Sequence, residues 1–435
     1  MLILSVAGLS LFGLFCCHSG KIFKFELLFT TCTVVIGLVL INFSSFSYSI
    51  SGFQTDLLSL SLLFITSLLL FIAPITQNFS SRGLSSLYVS LLALGVFSFL
   101  IFSTTNFLVL YISYEGSLLP IIYCILKWGI YPERTLRALI ILLFTSFFTF
   151  PLIIILLLSS PCSYSLIPCL SPLLLSFGGS LWIILRFAVK LPVFGLHYWL
   201  PIAHVEAPTF GSIILAGVLL KMGGCGLLRL SPLLYAQLQN ISQFLSVFLM
   251  AGVLIRAGLC CLQSDFKRLV AYSSVSHITL ILLLLVIPTP VSFFSLTLLI
   301  IFHGISSPLL FFGVGQISFI LGTREIILFR GVCAVSPLLM TFLLMTFLLA
   351  VPVPPFPAFL GELLVFFSLL NTSFLIPVII FLALLLGLLY SLLWFSSIQG
   401  KIINVIPLNF ICIFQFFIPF LLLIRSFSAL PILIL

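Results

Sequence analysis

Charge is what this chain of 435 residues lacks most: Asp, Glu, Lys and Arg together make up 6% of it. Eight acids and 17 bases cannot cover the surface of a water-soluble fold of this length, so a soluble protein is excluded. No polar stretch is long enough to fold as a soluble domain, and everything outside the apolar segments is a short loop. There is no Cys-x-x-Cys and no Cys/His spacing suited to zinc or an iron–sulfur cluster. The 11 cysteines are scattered, with two adjacent pairs (Cys16–Cys17 and Cys260–Cys261), and read as small apolar residues. A Gly-x-Gly-x-x-Gly fingerprint and any flavin or haem ligand set are also missing, so the chain cannot oxidise a nicotinamide itself. Methionine is scarce while Phe reaches 48, a bias that hints at an organelle genome.

What remains is apolar. Hydrophobic residues make up 62% and mean hydropathy is +1.43. The chain therefore reads as an all-α polytopic membrane protein, with lipid as the solvent for most of it. A helix needs ~20 apolar residues to cross the hydrocarbon core. Fourteen segments qualify: 1–17, 25–43, 56–76, 83–102, 105–126, 136–158, 176–200, 207–230, 239–262, 269–287, 291–321, 333–370, 373–397 and 403–424. The first has no basic leader and no cleavage signal, so it is expected to be retained. The twelfth is too long for one span and carries Val351-Pro-Val-Pro-Pro-Phe-Pro357 in its middle. Prolines remove backbone donors, so a broken helix is expected there.

The net charge of +9 reads as topology signals and lipid-headgroup contacts rather than a nucleic-acid surface. With fourteen spans, one side of the membrane receives Lys21, Lys24, Arg82, Lys127, Arg134, Arg137, Lys267, Arg268, Arg324, Arg330 and Lys401, and the other only Arg229 and Arg425. The rich side is expected in the cytoplasm or matrix, with both termini opposite.

Five ionisable residues lie deep inside these spans: Glu115, Lys190, Lys221, His303 and Glu362. A charged group at bilayer depth costs at least ~2.5–3.5 kcal/mol on insertion scales, so their presence on several helices points to ion or proton movement. Lys190 precedes Pro192 by two residues, and the proline frees a carbonyl beside it. Lys221 is followed by Gly223, Gly224 and Gly226, which allow a bend or close helix approach. His303 precedes Ser306-Ser-Pro308, and an imidazole suits proton relay. Glu362 follows the proline break by five residues. His197, His204 and Glu206 form His-x6-His-x-Glu, a spacing that fits no metal-binding helix face and leaves hydrogen bonding or proton exchange with a neighbouring lysine. His277 stands early in the tenth span, open to either relay or structural use. Arg186 and Arg256 are also within spans and suggest no role beyond pairing or snorkelling.

The stretch Ala188-Val-Lys-Leu-Pro-Val-Phe-Gly-Leu-His-Tyr-Trp-Leu-Pro201, continuing through Ala203-His-Val-Glu-Ala-Pro208 to Gly211-Ser-Ile-Ile-Leu-Ala-Gly-Val-Leu-Leu-Lys221, resembles the antiporter-like proton-pumping subunits of respiratory complex I. So do Asp265-Phe-Lys-Arg-Leu-Val-Ala-Tyr-Ser-Ser-Val-Ser-His277 and Trp128-Gly-Ile-Tyr-Pro-Glu-Arg134, and the likeness covers roughly 105–397. It implies fourteen helices, with 1–82 holding the first three, two inverted five-helix repeats over 83–230 and 239–397, each with one broken helix, and the last helix within 403–435. It places the family's fifth-helix acid on Glu115, its paired lysine on Lys190, the central relay lysine on Lys221, the relay histidine on His303 and the terminal acid on Glu362, with His197, His204 and His277 as further relay candidates.

The resemblance also implies a mitochondrial inner-membrane subunit, its basic loops in the matrix and both termini in the intermembrane space. It would bind no cofactor itself; NAD, FMN, iron–sulfur clusters and ubiquinone belong to the parent complex. Its partners would be chain 2-like and chain 5-like sister subunits, accessory subunits and lipids such as cardiolipin, with no nucleic acid. The alternatives are a cation/proton antiporter subunit of the same superfamily and a membrane-embedded hydrolase or transferase using His204 and Glu206. The second needs its reactive groups clustered at one depth, whereas here they are spread over spans 5 to 12.

Overall fold

The computed structural model describes residues 48–50, 53–75, 84–158 apart from 105, 130 and 131, 177–330 apart from 288, and 337–398 apart from 352, 355 and 371–374. The expected spans 1–17, 25–43 and 403–424 lie outside the described residues. A short antiparallel hairpin, Tyr48–Ile50 (β1) with Phe53–Thr55 (β2), pairs Tyr48 with Thr55 and Ile50 with Phe53. Aromatic and β-branched residues favour this pairing, which the hydropathy reading did not include.

Helices follow almost without interruption, because in lipid each backbone N–H and C=O must be satisfied within its own segment. They are α1 (Leu57–Ile75), α2 (Leu84–Ser103), α3 (Phe107–Gly116), α4 (Leu118–Trp128), α5 (Arg134–Leu158), α6 (Phe177–Lys190), α7 (Trp199–Glu206), α8 (Thr209–Ile214), α9 (Leu220–Cys261), α10 (Phe266–Val286), α11 (Pro290–Leu321), α12 (Pro337–Ala350), α13 (Pro357–Leu369) and α14 (Leu375–Ile398). Among the described residues, seven stretches are long and apolar enough to cross a membrane: Ser86–Ser103, Leu108–Trp128, Thr209–Ser231, Phe244–Cys261, Phe266–Val286, Pro290–Phe319 and Ile376–Ile398. The many serines and threonines in them hydrogen-bond back to carbonyls three or four residues earlier. Ser90 to Leu87, Ser98 to Gly95, Ser273 to Val270 and Thr279 to Ser276 are examples. This consumes their polarity inside lipid.

Three irregularities differ from the simple segmentation. The fifth expected span is interrupted at Ser117, between α3 and α4. The seventh ends at Lys190, where Val193 N–H reaches the Ala188 carbonyl and the Trp199 indole donates to the Val189 carbonyl at 2.8 Å. Gly195, at φ 87°, makes the turn an L side chain would resist. The eighth and ninth spans are joined by continuous helix through α9 rather than by a loop. The linking residues Ala236, Gln237, Leu238 and Gln239 are good helix formers, so their polarity does not break it.

The described residues gather into two compact units, one running through Phe187 and again over Glu206–Leu230, the other over Ala188–Val205 and from Ser231 onward. In the first, α1 packs on α2 and on α8, and α2 packs on α3 and α4. In the second, α11 is the central element, with α10, α12 and α13 against it. An 18-residue window of α11 within Pro290–Phe319 is 94% buried, whereas one of α14 within Ile376–Ile398, the more hydropathic, is 28% buried. Hydropathy marks what enters lipid, and packing decides which helix is wrapped in protein. α11 is framed by a capping box, Thr289 Oγ1 accepting from Ser292 N–H and Ser292 Oγ from Thr289 N–H, and by Gly322 at φ 68°.

Arg229, one of the two bases expected on the charge-poor side, has a structural use. Its guanidinium donates to the Ile101 carbonyl at 3.1 Å and to the Phe102 and Thr104 carbonyls, satisfying the end of α2. Arg229→Leu is expected to cost about 1.5–3 kcal/mol, read as a lowered thermal midpoint of the detergent-solubilised protein. A midpoint equal to wild type would rule out this cap as a stabilising contact.

Candidate functional site

In the second unit the proline break ends at Phe356, and Pro357 opens α13 at a first-turn position that needs no N–H donor. Glu362 stands in the next turn, with 2% of its side chain exposed. Its Oε1 lies 3.0 Å from Nδ1 of His277 on α10. Among the described residues neither carboxylate oxygen has a hydrogen bond in good line, so this is a close contact of acid and imidazole. The His277 ring lies 5.7 Å, centroid to centroid, from that of His303 on α11. Ser307 Oγ donates at 2.7 Å to the His303 carbonyl, and Pro308, which has no N–H, follows in the same helix. Three groups that bind and release protons thus come together from three helices.

A cavity of about 20 Å³ borders His277, lined also by Ser276, Tyr390, Val253, Ala257 and Val351. That is room for roughly one water, with hydroxyls and an imidazole to hold it. Sequence reading left His277 undecided; its proximity to Glu362 is a contact between α10 and α13 that spacing along one chain cannot reveal.

Lys190 is buried at the last position of α6, where a helix C-terminus favours a cation. His197 lies in the turn beyond it, its ring 4.2 Å from that of Tyr198 and parallel to Phe194 at 6.2 Å. His204, on α7, is fully buried and stacks on Phe311 at 4.2 Å. Arg256, also fully buried, holds its guanidinium 5.2 Å above the Phe194 ring.

In the first unit Lys221 is buried and its ammonium donates to the Ala216 carbonyl at 2.6 Å. The cause is local: residues Leu215–Leu219 form a π-turn, with Leu220 N–H bonded to the Leu215 carbonyl. The widened turn frees a carbonyl for the amine five residues on. The irregular turn sits before the lysine, and of the two uses expected of the glycines after it, close approach is the one seen. Gly226 serves close approach, since a Cβ there would come 2.5 Å from the Phe187 ring.

Glu115 lies in the last turn of α3, three-quarters buried, and its Oε1 lies 3.4 Å from Nη2 of Arg186. Arg186 is fully buried, its guanidinium 4.4 Å from the centre of Tyr111 and 4.8 Å from that of Tyr114. Sequence reading gave Arg186 no function; its place four residues before Lys190 was the available signal. Glu206 is buried and paired with Arg137 at 2.7 Å, while Arg137 also contacts Glu133. A carboxylate so engaged is poorly placed to act as a metal ligand or catalytic base. Among the described residues no cluster of three His, Cys, Asp or Glu could hold a metal ion.

Comparison with known proteins follows the same lines. Residues 104–387 match the family model described as NADH:quinone oxidoreductase/Mrp antiporter, TM. The chain is 36% identical to NADH-ubiquinone oxidoreductase chain 4 of Gadus morhua over 361 residues, covering 79% of this chain and 78% of the relative. It is 35% identical to the protein of that name from Tetraodon nigroviridis, covering 80% and 77%. Rhipicephalus sanguineus chain 4 is 38% identical over 63% and 62%. A chain in the structure of respiratory complex I from Thermus thermophilus with bound NADH superposes with a TM-score of 0.81 at 22% identity, over all of this chain and 97% of the other. The membrane-bound sulfane sulfur reductase, an archaeal respiratory membrane complex, contains a chain that also scores 0.81, at 19% identity over 97% and 75%. At those identities the two structures speak for the fold.

Proposed function

The chain belongs to the NADH:quinone oxidoreductase/Mrp antiporter transmembrane family, and from that premise we propose that it is a chain-4-type membrane subunit of an NADH:ubiquinone oxidoreductase that carries protons across the membrane. The observation that carries this reading is the buried Glu362–His277–His303 cluster. Acid and imidazole groups are kept 3.0 Å apart in an apolar interior, beside a cavity of water size. A merely structural helix bundle gains nothing from burying such groups.

In the proposed cycle Lys190 holds a proton while a carboxylate, that of Glu115, is near. Two unit charges 4 Å apart attract by ~4 kcal/mol at an effective dielectric of 20. Drawing Glu115 away removes much of that attraction, and the proton passes toward Lys221. Water, His303 and His277 carry it on to Glu362. Electron transfer belongs to other subunits, since this chain offers no flavin, haem or cluster ligands. The same reading gives fourteen helices in two inverted five-helix repeats, 83–230 and 239–397, and an inner mitochondrial membrane location with basic loops in the matrix. Sister antiporter-like subunits are the proposed neighbours along the membrane.

Co-purification tests it. An affinity tag on this chain is expected to bring down a large assembly that oxidises NADH with ubiquinone as acceptor. Recovery of the chain alone, with sodium-dependent proton exchange in vesicles, would instead favour the second reading, a cation/proton antiporter, which the family's own description accommodates.

A further inference from the structure

We propose that Arg186 is the resting counter-ion of Glu115, a positioning residue that holds the carboxylate against α6 one helical turn short of Lys190. The inference rests on the proton-carrying role assigned above to Glu115 and Lys190. Arg186 is fully buried, with Nη2 3.4 Å from Glu115 Oε1. The guanidinium stays charged under all ordinary conditions. It is clasped by the faces of Tyr111 and Tyr114, with Phe187 at 5.6 Å. Aromatic faces stabilise a cation but accept no hydrogen bond in the manner of a carboxylate. Among the described residues, Nε and Nη1 of Arg186 have no hydrogen-bond partner, so Glu115 is the anion this cation is built around.

Residues 186 and 190 are four apart on α6 and share a face of that helix. In the proposed cycle the same carboxylate serves two cations of different character. The guanidinium never gives up a proton, whereas an amine does. A carboxylate drawn to the amine must first leave the guanidinium, so Arg186 fixes where the switch rests and how hard it is to throw. Lysine in its place would keep the charge without the planar fork or the ring stacking.

The test uses the intact NADH-oxidising assembly reconstituted in vesicles, with protons moved per electron as the readout. Arg186→Leu is expected to lower that ratio by roughly tenfold, the scale of one charge-assisted hydrogen bond. Arg186→Lys is expected to recover most of it, and in a double-mutant cycle of melting temperatures Arg186→Leu is expected to add nothing to Glu115→Gln. A wild-type ratio in Arg186→Leu, or additive melting shifts in the double variant, overturns the proposal. If Arg186→Leu does not assemble, the cycle is read from melting temperatures of Arg186→Lys with and without Glu115→Gln. Interdependent shifts uphold the pair, and additive shifts overturn it. Lys190→Ala in the same preparation separates the two levels. If it is inactive while Arg186→Leu is normal, only the counter-ion fails; if both are normal, the proton-carrying role fails.

Discussion

Replacing Lys190 by Ala abolishes proton translocation while the assembly still forms; this is the largest effect expected of any single change in the first half of the chain. The amine sits at the end of α6, just before the helix breaks. In the proposed cycle its proton is held by the Glu115 carboxylate and by the helix C-terminus, and both holds depend on position. Remove the amine and no other group on α6 can take up and release a proton, because Arg186 stays charged. Glu115→Gln is expected to match it, since an amide offers no charge to draw the proton in or let it go. The measurement is proton-to-electron stoichiometry in vesicles, checked against the amount of assembled complex. Normal stoichiometry in either variant would refute the scheme.

The second large effect lies at Glu362. With Oε1 3.0 Å from His277 Nδ1, the carboxylate can exchange a proton with the imidazole by a small rotation. General acid–base transfer of this kind supports rates roughly 10²–10⁴ above those without it. Glu362→Gln should therefore slow proton delivery by two or more orders of magnitude, and His277→Phe should do nearly the same. The two losses should not add, because the groups act in series. NADH-driven acidification, followed with a pH-sensitive dye, is the readout. Full acidification in Glu362→Gln would remove this acid from the path, and a normal rate in His277→Phe with a dead Glu362→Gln would leave His303 as the sole relay.

Much of this was legible from residue types alone. An acid, amine or imidazole deep in an apolar run is so costly that Glu115, Lys190, Lys221, His303 and Glu362 stood out at once. The two helix breaks were announced by Pro192 and by the proline run ending at Pro357, since a missing N–H is written in the sequence. The π-turn before Lys221 was not, because slipping one backbone hydrogen bond from four residues to five has no compositional mark. The continuity of α9 was hidden for the opposite reason. Gln237, Gln239 and Asn240 look like a loop on a hydropathy scale, yet polar residues sit in a helix without strain. Pairings between distant helices were out of reach altogether. Arg186 with Glu115 and His277 with Glu362 join residues 71 and 85 positions apart, and each needed the fold to bring them together.

The Trp199 indole that closes the first break has a practical consequence. The chain has only four tryptophans, and this one donates to the carbonyl of the residue next to Lys190. Indole fluorescence is sensitive to the loss of such a bond, so Trp199 is a built-in optical gauge of whether that end of the helix stays shut during turnover.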